Sequence, residues 1–305
     1  MWKYVSFLIG VHILGRLPLP LLYRLVSALA NLGYLLLPRQ RANVCDNMRH
    51  ALGPRARKGE VRKAARQVFR NVAKYYADLV HMRRLDFDDF FQRRLRHSGF
   101  EENFLPAYQA GKGVILVSAH FGNPELAIQA LLQPGIKAFA LTEPLQPPRL
   151  SRLVDGLRST LGHTFRPVSV TNVKMAFRTL KAGGVVALML DRDIEGPRVR
   201  LPFCGEETLL PTGPVEMAMR TGAALVPTFC ARGEADKIEV VFEEPLEMVD
   251  TGGLQADVRT NALRLLAHFE RHLRRDPGQW MVLERVWEGG ADAVPETLAA
   301  GGARR

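Results

Sequence analysis

The sequence predicts an α/β domain built on a largely buried sheet and preceded by apolar, membrane-associated helices. From residue 113 onward, short β-rich apolar runs alternate with helical segments, the pattern of strands joined by helices. The chain has 305 residues, 47% of them apolar and 24% charged, enough for one or two domains with a substantial core and unlike a disordered or fibrous chain. Its positive charge is concentrated at the N-terminal end, where it is also most hydrophobic. Residues 1–74 carry fourteen Lys and Arg against two acids, Asp46 and Glu60, a balance of +12, whereas the whole chain carries +11.

Residues 4–15 and 21–37 are two apolar runs separated by Arg16 and by Pro18 and Pro20. Spanning a bilayer takes about 20 uninterrupted apolar residues. The first run is too short, the second contains Arg24 and Asn31, and the prolines break a helix across both. Two short helices lying in or on a membrane are expected, with Trp2, Tyr4, Tyr23 and Tyr34 available as interfacial anchors. A helical hairpin packed on the protein's own core is the competing reading. A cleavable secretory leader fits poorly, because no small-residue cleavage site follows. The basic block from Arg39 through Arg49 and Arg57 to Arg66 favours the membrane, at about 1 kcal/mol per cation near an anionic leaflet. It also favours the cytoplasmic face. No nucleic-acid-reading motif accompanies this charge, so nucleic acid is not an expected partner.

From Glu60 to Met82 apolar residues, Tyr75 and Tyr76 among them, recur at helical spacing and predict an amphipathic helix. Strands are expected at 114–118, 136–141, 185–190, 224–229 and 238–242. Helices are expected near 124–132, 148–160, 172–182, 213–221 and 256–274, and the Ala/Gly-rich tail after about 290 reads as disordered. Cys45, Cys204 and Cys230 are far apart and odd in number, which argues against a disulfide framework or a zinc site. His268 and His272 lie one turn apart on a helix, but Arg264, Arg271, Arg274 and Arg275 around them suggest a solvated basic face, so no metal site is expected. The glycines at 183–184 lack the G-K-S/T of a phosphate loop, and no G-x-S-x-G nucleophile elbow occurs.

The chemistry gathers at two strand ends. The strand at 114–118 runs into Ser118-Ala119-His120-Phe121-Gly122-Asn123-Pro124-Glu125. Pro124 suits the first position of a helix and Asn123 its N-cap, so His120 falls on the turn and Glu125 in the first helical turn. On one continuous helix the two side chains would point some 140° apart; an intervening turn lets both enter the same crevice, and Gly122 permits close backbone approach. A histidine beside a carboxylate can serve as a general base, although a structural histidine fits the same pair. The run at 185–190 ends in Asp191-Arg192-Asp193, charges costly to bury unless paired. If the two strands are neighbours, Asp191 or Asp193 can reach His120.

Together these features resemble one family. The His120-to-Glu125 turn is similar to the H-x4-D/E motif of glycerolipid acyltransferases. Residues 118–127, the Glu143/Arg158/Gly162 set, the Asp191-Arg192-Asp193 strand end and the block at 201–229 resemble the lipid A biosynthesis late acyltransferases and phosphatidylinositol mannoside acyltransferases. That resemblance implies a central mixed sheet flanked by helices, an α/β acyltransferase domain over 41–290 with a basic helical lead-in at 41–100, and a membrane-associated segment at 1–40. It implies transfer of a fatty acyl chain from acyl-carrier protein or acyl-CoA to a hydroxyl of a membrane glycolipid. His120 is then the base, Glu125 the motif acid and Asp191 a carboxylate able to orient the histidine. Glu143, Arg158, Arg192, Asn123 and Gly122 then line the substrate site, with Arg158 suited to a phosphate. Pro124 departs from the bulky aromatic frequent in relatives, which bears on acceptor or chain-length preference. A thioester is already activated, so no cofactor is expected beyond the co-substrate, and amides of the Gly122 turn or the Gly205 loop are candidate oxyanion donors. The implied place is the cytoplasmic face of a bacterial inner membrane. A non-catalytic lipid-binding protein and a lipid or thioester hydrolase remain the alternatives.

Overall fold

The computed structural model describes residues 2–132, 135–192 and 198–287. Asp193 and the 291–305 tail therefore lie outside the described residues. The strands are β1 (Leu95–Ser98), β2 (Val114–Ser118), β3 (Ala138–Thr142), β4 (Thr164–Pro167), β5 (Val185–Met189), β6 (Arg198–Phe203), β7 (Glu206–Pro211), β8 (Ala224–Arg232) and β9 (Ile238–Phe242). Seven form one sheet in the order β1-β9-β8-β2-β5-β3-β4, and β6 and β7 form a separate antiparallel hairpin. Within the sheet only the β8–β9 pair is antiparallel. The sheet is therefore mixed, as the resemblance implies.

The central strands are apolar throughout because both faces are covered. Val114 and Leu116 of β2 pack into one layer, and Ile115 and Val117 into the other. The helices are α1 (Trp2–His12), α2 (Leu19–Leu36), α3 (Pro38–Leu52), α4 (Lys58–His81), the short α5 (Phe87–Asp89) and α6 (Leu105–Gln109), then α7 (Pro124–Ala127), α8 (Pro148–Arg158), α9 (Val170–Lys181), α10 (Gly213–Thr221) and α11 (Leu254–Arg275). The expected elements of the sheet domain appear within a few residues of their predicted ends. β1, β4 and the β6–β7 hairpin are strands beyond those expected from the sequence. LRHS and TFRP are short and polar, and the hairpin carries charges and Pro202, so their strand character comes from pairing rather than hydrophobic period.

At the N-terminus one face of the helices packs on the rest of the protein, as the hairpin reading expects, and the other face is exposed. Leu22, Tyr23, Ala30 and Tyr34 of α2 are buried, whereas Leu21, Leu25, Leu29, Leu32 and Leu36 are exposed, as are Val5 and Ile9 of α1. Tyr23 and Tyr34 are thus not interfacial anchors. Tyr34 packs edge-on to Phe69 of α4, and the Tyr23 hydroxyl enters a buried polar cluster because a phenol in a core needs partners. His268 and His272 also depart from expectation. Rather than forming a solvated face, both clasp the Glu243 carboxylate, His272 Nε2 at 2.8 Å, with their side chains about one-fifth exposed.

Candidate active site

Register places the site. In the parallel β2–β5 pair Ser118 lies opposite Met189, and the Leu190 amide donates to the Ser118 carbonyl at 2.8 Å. His120 and Asp191 each stand two residues beyond these matched ends, so they meet at the carboxyl edge of the sheet, where chemistry gathers in open α/β folds.

Asp191 is buried and accepts three hydrogen bonds. Its Oδ1 receives His120 Nδ1 at 3.0 Å, and its Oδ2 receives the His120 backbone amide at 3.0 Å and Trp280 Nε1 at 2.7 Å. Burial works to raise the Asp191 pKa, but His120 beside it and the bonds from His120 and Trp280 hold it below the usual carboxylate value. An ionised carboxylate only accepts, so Nδ1 carries the ring proton and Nε2 is the basic nitrogen. For His120, burial works to lower the pKa, while the Asp191 charge and hydrogen bond outweigh it and raise the net value. About a third of the His120 side chain is exposed (34%).

The turn itself is locked. Gly122 has φ +66°, and a Cβ there would fall 2.0 Å from the Cys230 carbonyl oxygen, so only glycine fits. The Gly122 amide donates to the Gln279 carbonyl at 2.9 Å, the Met281 amide donates to the His120 carbonyl at 2.7 Å, and Phe121 bridges to Trp280. The Asn123 amide points to Cys230 Sγ. The amides of residues 120–123 are therefore spent holding the turn, which removes the Gly122 turn as an oxyanion donor. The Glu206 end of the Gly205 turn contacts His50 and Trp287.

Asn123 caps α7 as expected, its Oδ1 accepting from the Leu126 amide at 3.0 Å, and Glu125 sits in the first turn, 8% exposed. Its direct partners are not His120. Glu125 Oε1 receives Tyr75 Oη at 2.5 Å and pairs with Arg158 Nη2 at 2.7 Å, and Arg158 also donates to the Tyr75 hydroxyl at 3.0 Å. Arg158 is thus engaged by this chain's own acid rather than standing free for a phosphate. Burial pushes the Tyr75 hydroxyl well above its usual pKa, so it is a donor throughout the physiological range. Arg192 lies between Glu143, at 3.4 Å, and Glu284, at 3.5 Å, in a part-exposed charged trio next to Asp191.

Asp191 is thus brought to His120, and Arg158 to Glu125, while Glu143 joins Arg192. Trp280 and Tyr75 are further members of the site that the sequence does not single out. The available signal for Tyr75 was a tyrosine inside an apolar helical stripe, since a buried hydroxyl requires a partner. Trp280, beyond the last helix, carries no local signal.

The fold is a mixed α/β sheet with an aspartate-paired histidine just past the carboxyl end of one of its central strands. The model of the bacterial lipid A biosynthesis acyltransferases matches residues 1–288, and the chain belongs to that family. It is also 30% identical over 187 residues to the phosphatidylinositol mannoside acyltransferase of two Mycobacterium tuberculosis strains, covering 59% of this chain and 56% of each relative. The protein of the same name from Mycolicibacterium smegmatis is 29% identical over 190 residues, covering 61% of this chain and 60% of that relative. The match thus spans a little over half the length of these curated relatives.

Proposed function

We propose that the protein transfers a fatty acyl chain from an acyl-CoA or acyl-carrier-protein thioester to a hydroxyl of a membrane glycolipid, of lipid A precursor or phosphatidylinositol mannoside type. The observation that carries this reading is the Asp191–His120 pair with its part-exposed imidazole beside the Glu125–Arg158 pair. His120 Nε2 takes the acceptor hydroxyl proton as that oxygen attacks the thioester carbonyl. The tetrahedral adduct then collapses with cleavage of the C–S bond, and the imidazolium returns the proton to the leaving thiolate. Asp191 holds the reactive tautomer and stabilises the imidazolium. Glu125, held by Tyr75 and Arg158, stands on the acceptor side with Glu143 and Arg192. Asn123, 1% exposed with both side-chain polar atoms engaged by Leu126 and Asp78, and Gly122 shape the turn rather than touch the substrate. The thioester supplies its own activation, so the reaction calls for no cofactor beyond the co-substrate.

We place this chemistry at the cytoplasmic face of a bacterial inner membrane, with the protein peripheral or monotopic. The helix α2 has 18 residues of mean hydropathy 1.4 with 22% of the window buried, and about 27 Å of helix falls just short of a ~30 Å bilayer core. One face of α2 is packed on α4, which favours lying along the surface with its leucines down. Arg66 lies over the Tyr34 ring of α2, and Arg70 donates to Asn31 at 2.9 Å. With Arg62 and Lys63 these cations line an open furrow along α4, suited to anionic headgroups. The Phe7–Tyr76–Tyr75 aromatic contacts run from α1 to Glu125.

The direct test supplies radiolabelled palmitoyl-CoA or palmitoyl-carrier protein with lipid A precursor or phosphatidylinositol mannosides in vesicles, and identifies the acylated lipid by mass spectrometry. The expected result is a new acyl ester made by the wild type and not by His120→Ala. An active His120→Ala protein would overturn the mechanism, and release of free fatty acid without acylated lipid would indicate a hydrolase.

A further inference from the structure

Behind the His120 turn lies a buried polar cluster that proton transfer does not use. Asp78 of α4 is 5% exposed. Its Oδ2 accepts from Asn123 Nδ2 at 2.6 Å and from the Arg232 guanidinium, and its Oδ1 accepts from the Tyr23 hydroxyl of α2. Arg232 Nη1 donates to the same hydroxyl at 3.2 Å, and Arg94 Nη2 at 2.9 Å. One carboxylate thereby joins α2, α4, β8 and the turn bearing His120 and Glu125.

The chemistry of Asn123 explains what such a junction does. A primary amide has an oxygen and a nitrogen that exchange places when it rotates, and the α7 cap requires the oxygen to face the Leu126 amide. Asp78 can only accept. It therefore holds Nδ2 toward itself and Oδ1 toward Leu126. A buried ion pair adds little net stability relative to an apolar pair of the same size, so the distinctive contribution of Asp78 is directional.

We propose that Asp78 is a positioning residue for Glu125, acting through the Asn123 amide, and that Tyr23 makes this positioning depend on how α2 is seated. The helix whose exposed leucines face outward then reports its docking to the first turn of α7. If Tyr23 withdraws from the cluster, Asp78 loses a donor and Asn123 loses its fixed orientation. The catalytic half of this inference rests on the function proposed above; the structural half stands independently of it.

The test uses the full chain and two variants, Asp78→Asn and Tyr23→Phe, the second keeping the ring packing should the first fail to fold. Hydrogen exchange read by mass spectrometry is expected to be at least tenfold faster at residues 124–127 in Asp78→Asn and several-fold faster in Tyr23→Phe, with the β6–β7 hairpin unchanged. With palmitoyl-CoA and phosphatidylinositol mannosides in vesicles, kcat should fall at least tenfold while KM for palmitoyl-CoA stays within twofold. The double variant Asp78→Asn/Asn123→Asp exchanges amide and carboxylate and should recover at least half of the lost kcat and the slow exchange. Wild-type exchange at 124–127 in both single variants would overturn the linkage. So would acceleration spread evenly over the chain, or no recovery of slow exchange in the double variant. A wild type inactive on these substrates would instead count against the proposed function, and exchange alone would then decide the linkage.

Discussion

Asp191 holds His120 at two points, its Oδ1 on the ring Nδ1 and its Oδ2 on the backbone amide, each at 3.0 Å. Two contacts fix both the position of the residue and the plane of its ring, which a single bond would leave free to pivot. Replacing Asp191 by Asn keeps the size but removes the charge and the certainty of the tautomer. Acyl transfer should fall by roughly 10⁴, as for a general-base histidine deprived of its aspartate, with far-ultraviolet circular dichroism unchanged.

The pH dependence follows from the same pair. The His120 pKa lies above the ordinary histidine value of 6.5, and the transfer proposed above requires the neutral ring. The rate should therefore rise with pH through a limb placed above 6.5. Asp191 and Glu125 raise that limb, whereas burial and Arg192 lower it. In Asp191→Asn any residual activity should show the limb moved to lower pH. Stability behaves oppositely. A raised folded-state pKa stabilises fully below the unfolded value and loses that contribution as pH rises through the folded value. Rate profiles and chemical denaturation across pH 5–9 check both signs.

Trp280→Phe removes the indole donor to Asp191 while retaining an aromatic ring in the core. A hydrogen bond to a buried charge contributes about 1.5–3 kcal/mol, so a roughly tenfold loss in kcat with a measurable fall in stability is expected. Unchanged kinetics would show that Asp191 is held without it.

Gly122→Ala should cost stability of about 2–4 kcal/mol, since both the positive φ and the Cys230 carbonyl oppose a side chain. Because the turn carries His120, transfer should fall further than stability alone explains. Thermal unfolding and activity of the soluble fraction separate the two.

Glu243, held by His268 and His272, offers an acid-stability prediction. Burial works to raise its pKa, but hydrogen bonds from His268 and His272 bring it down to about 2. A depressed carboxylate contributes stability above its unfolded value near 4.5 that is lost as pH falls toward 2. Glu243→Gln should flatten the acid side of the stability curve over that window in urea titrations.

Membrane binding should split between two surfaces. Replacing Arg62, Arg66 and Arg70 by Gln should weaken binding to anionic vesicles by up to about 100-fold, at ~1 kcal/mol per cation, and added salt should shrink the difference. Replacing Leu29, Leu32 and Leu36 by Ser should weaken binding to neutral vesicles as well. Vesicle co-sedimentation measures both.

What the chain alone determined was local. Six apolar residues ending in Asp191, a strand running into His120, an Asn-Pro helix start before Glu125 and an apolar stripe over 60–82 each express a preference that neighbours in sequence settle: strand burial, capping and helical period. The α7 cap at Asn123 and the strand beneath His120 were legible for that reason. The partners of those residues were not. Asp191 lies 71 positions from His120, Tyr75 lies 50 from Glu125, Arg158 lies 83 from Tyr75, and Trp280 lies 89 from Asp191. Only the order of strands in the sheet and the packing of α4 against α7 and α8 bring such groups together. A carboxylate or an indole carries the same local signal whether its partner is water, a core contact or a catalytic histidine. The tertiary structure therefore decided that Asp191 rather than Glu125 orients His120, and that Arg158 serves Glu125, because burial leaves each charge stable only beside the partner the fold provides.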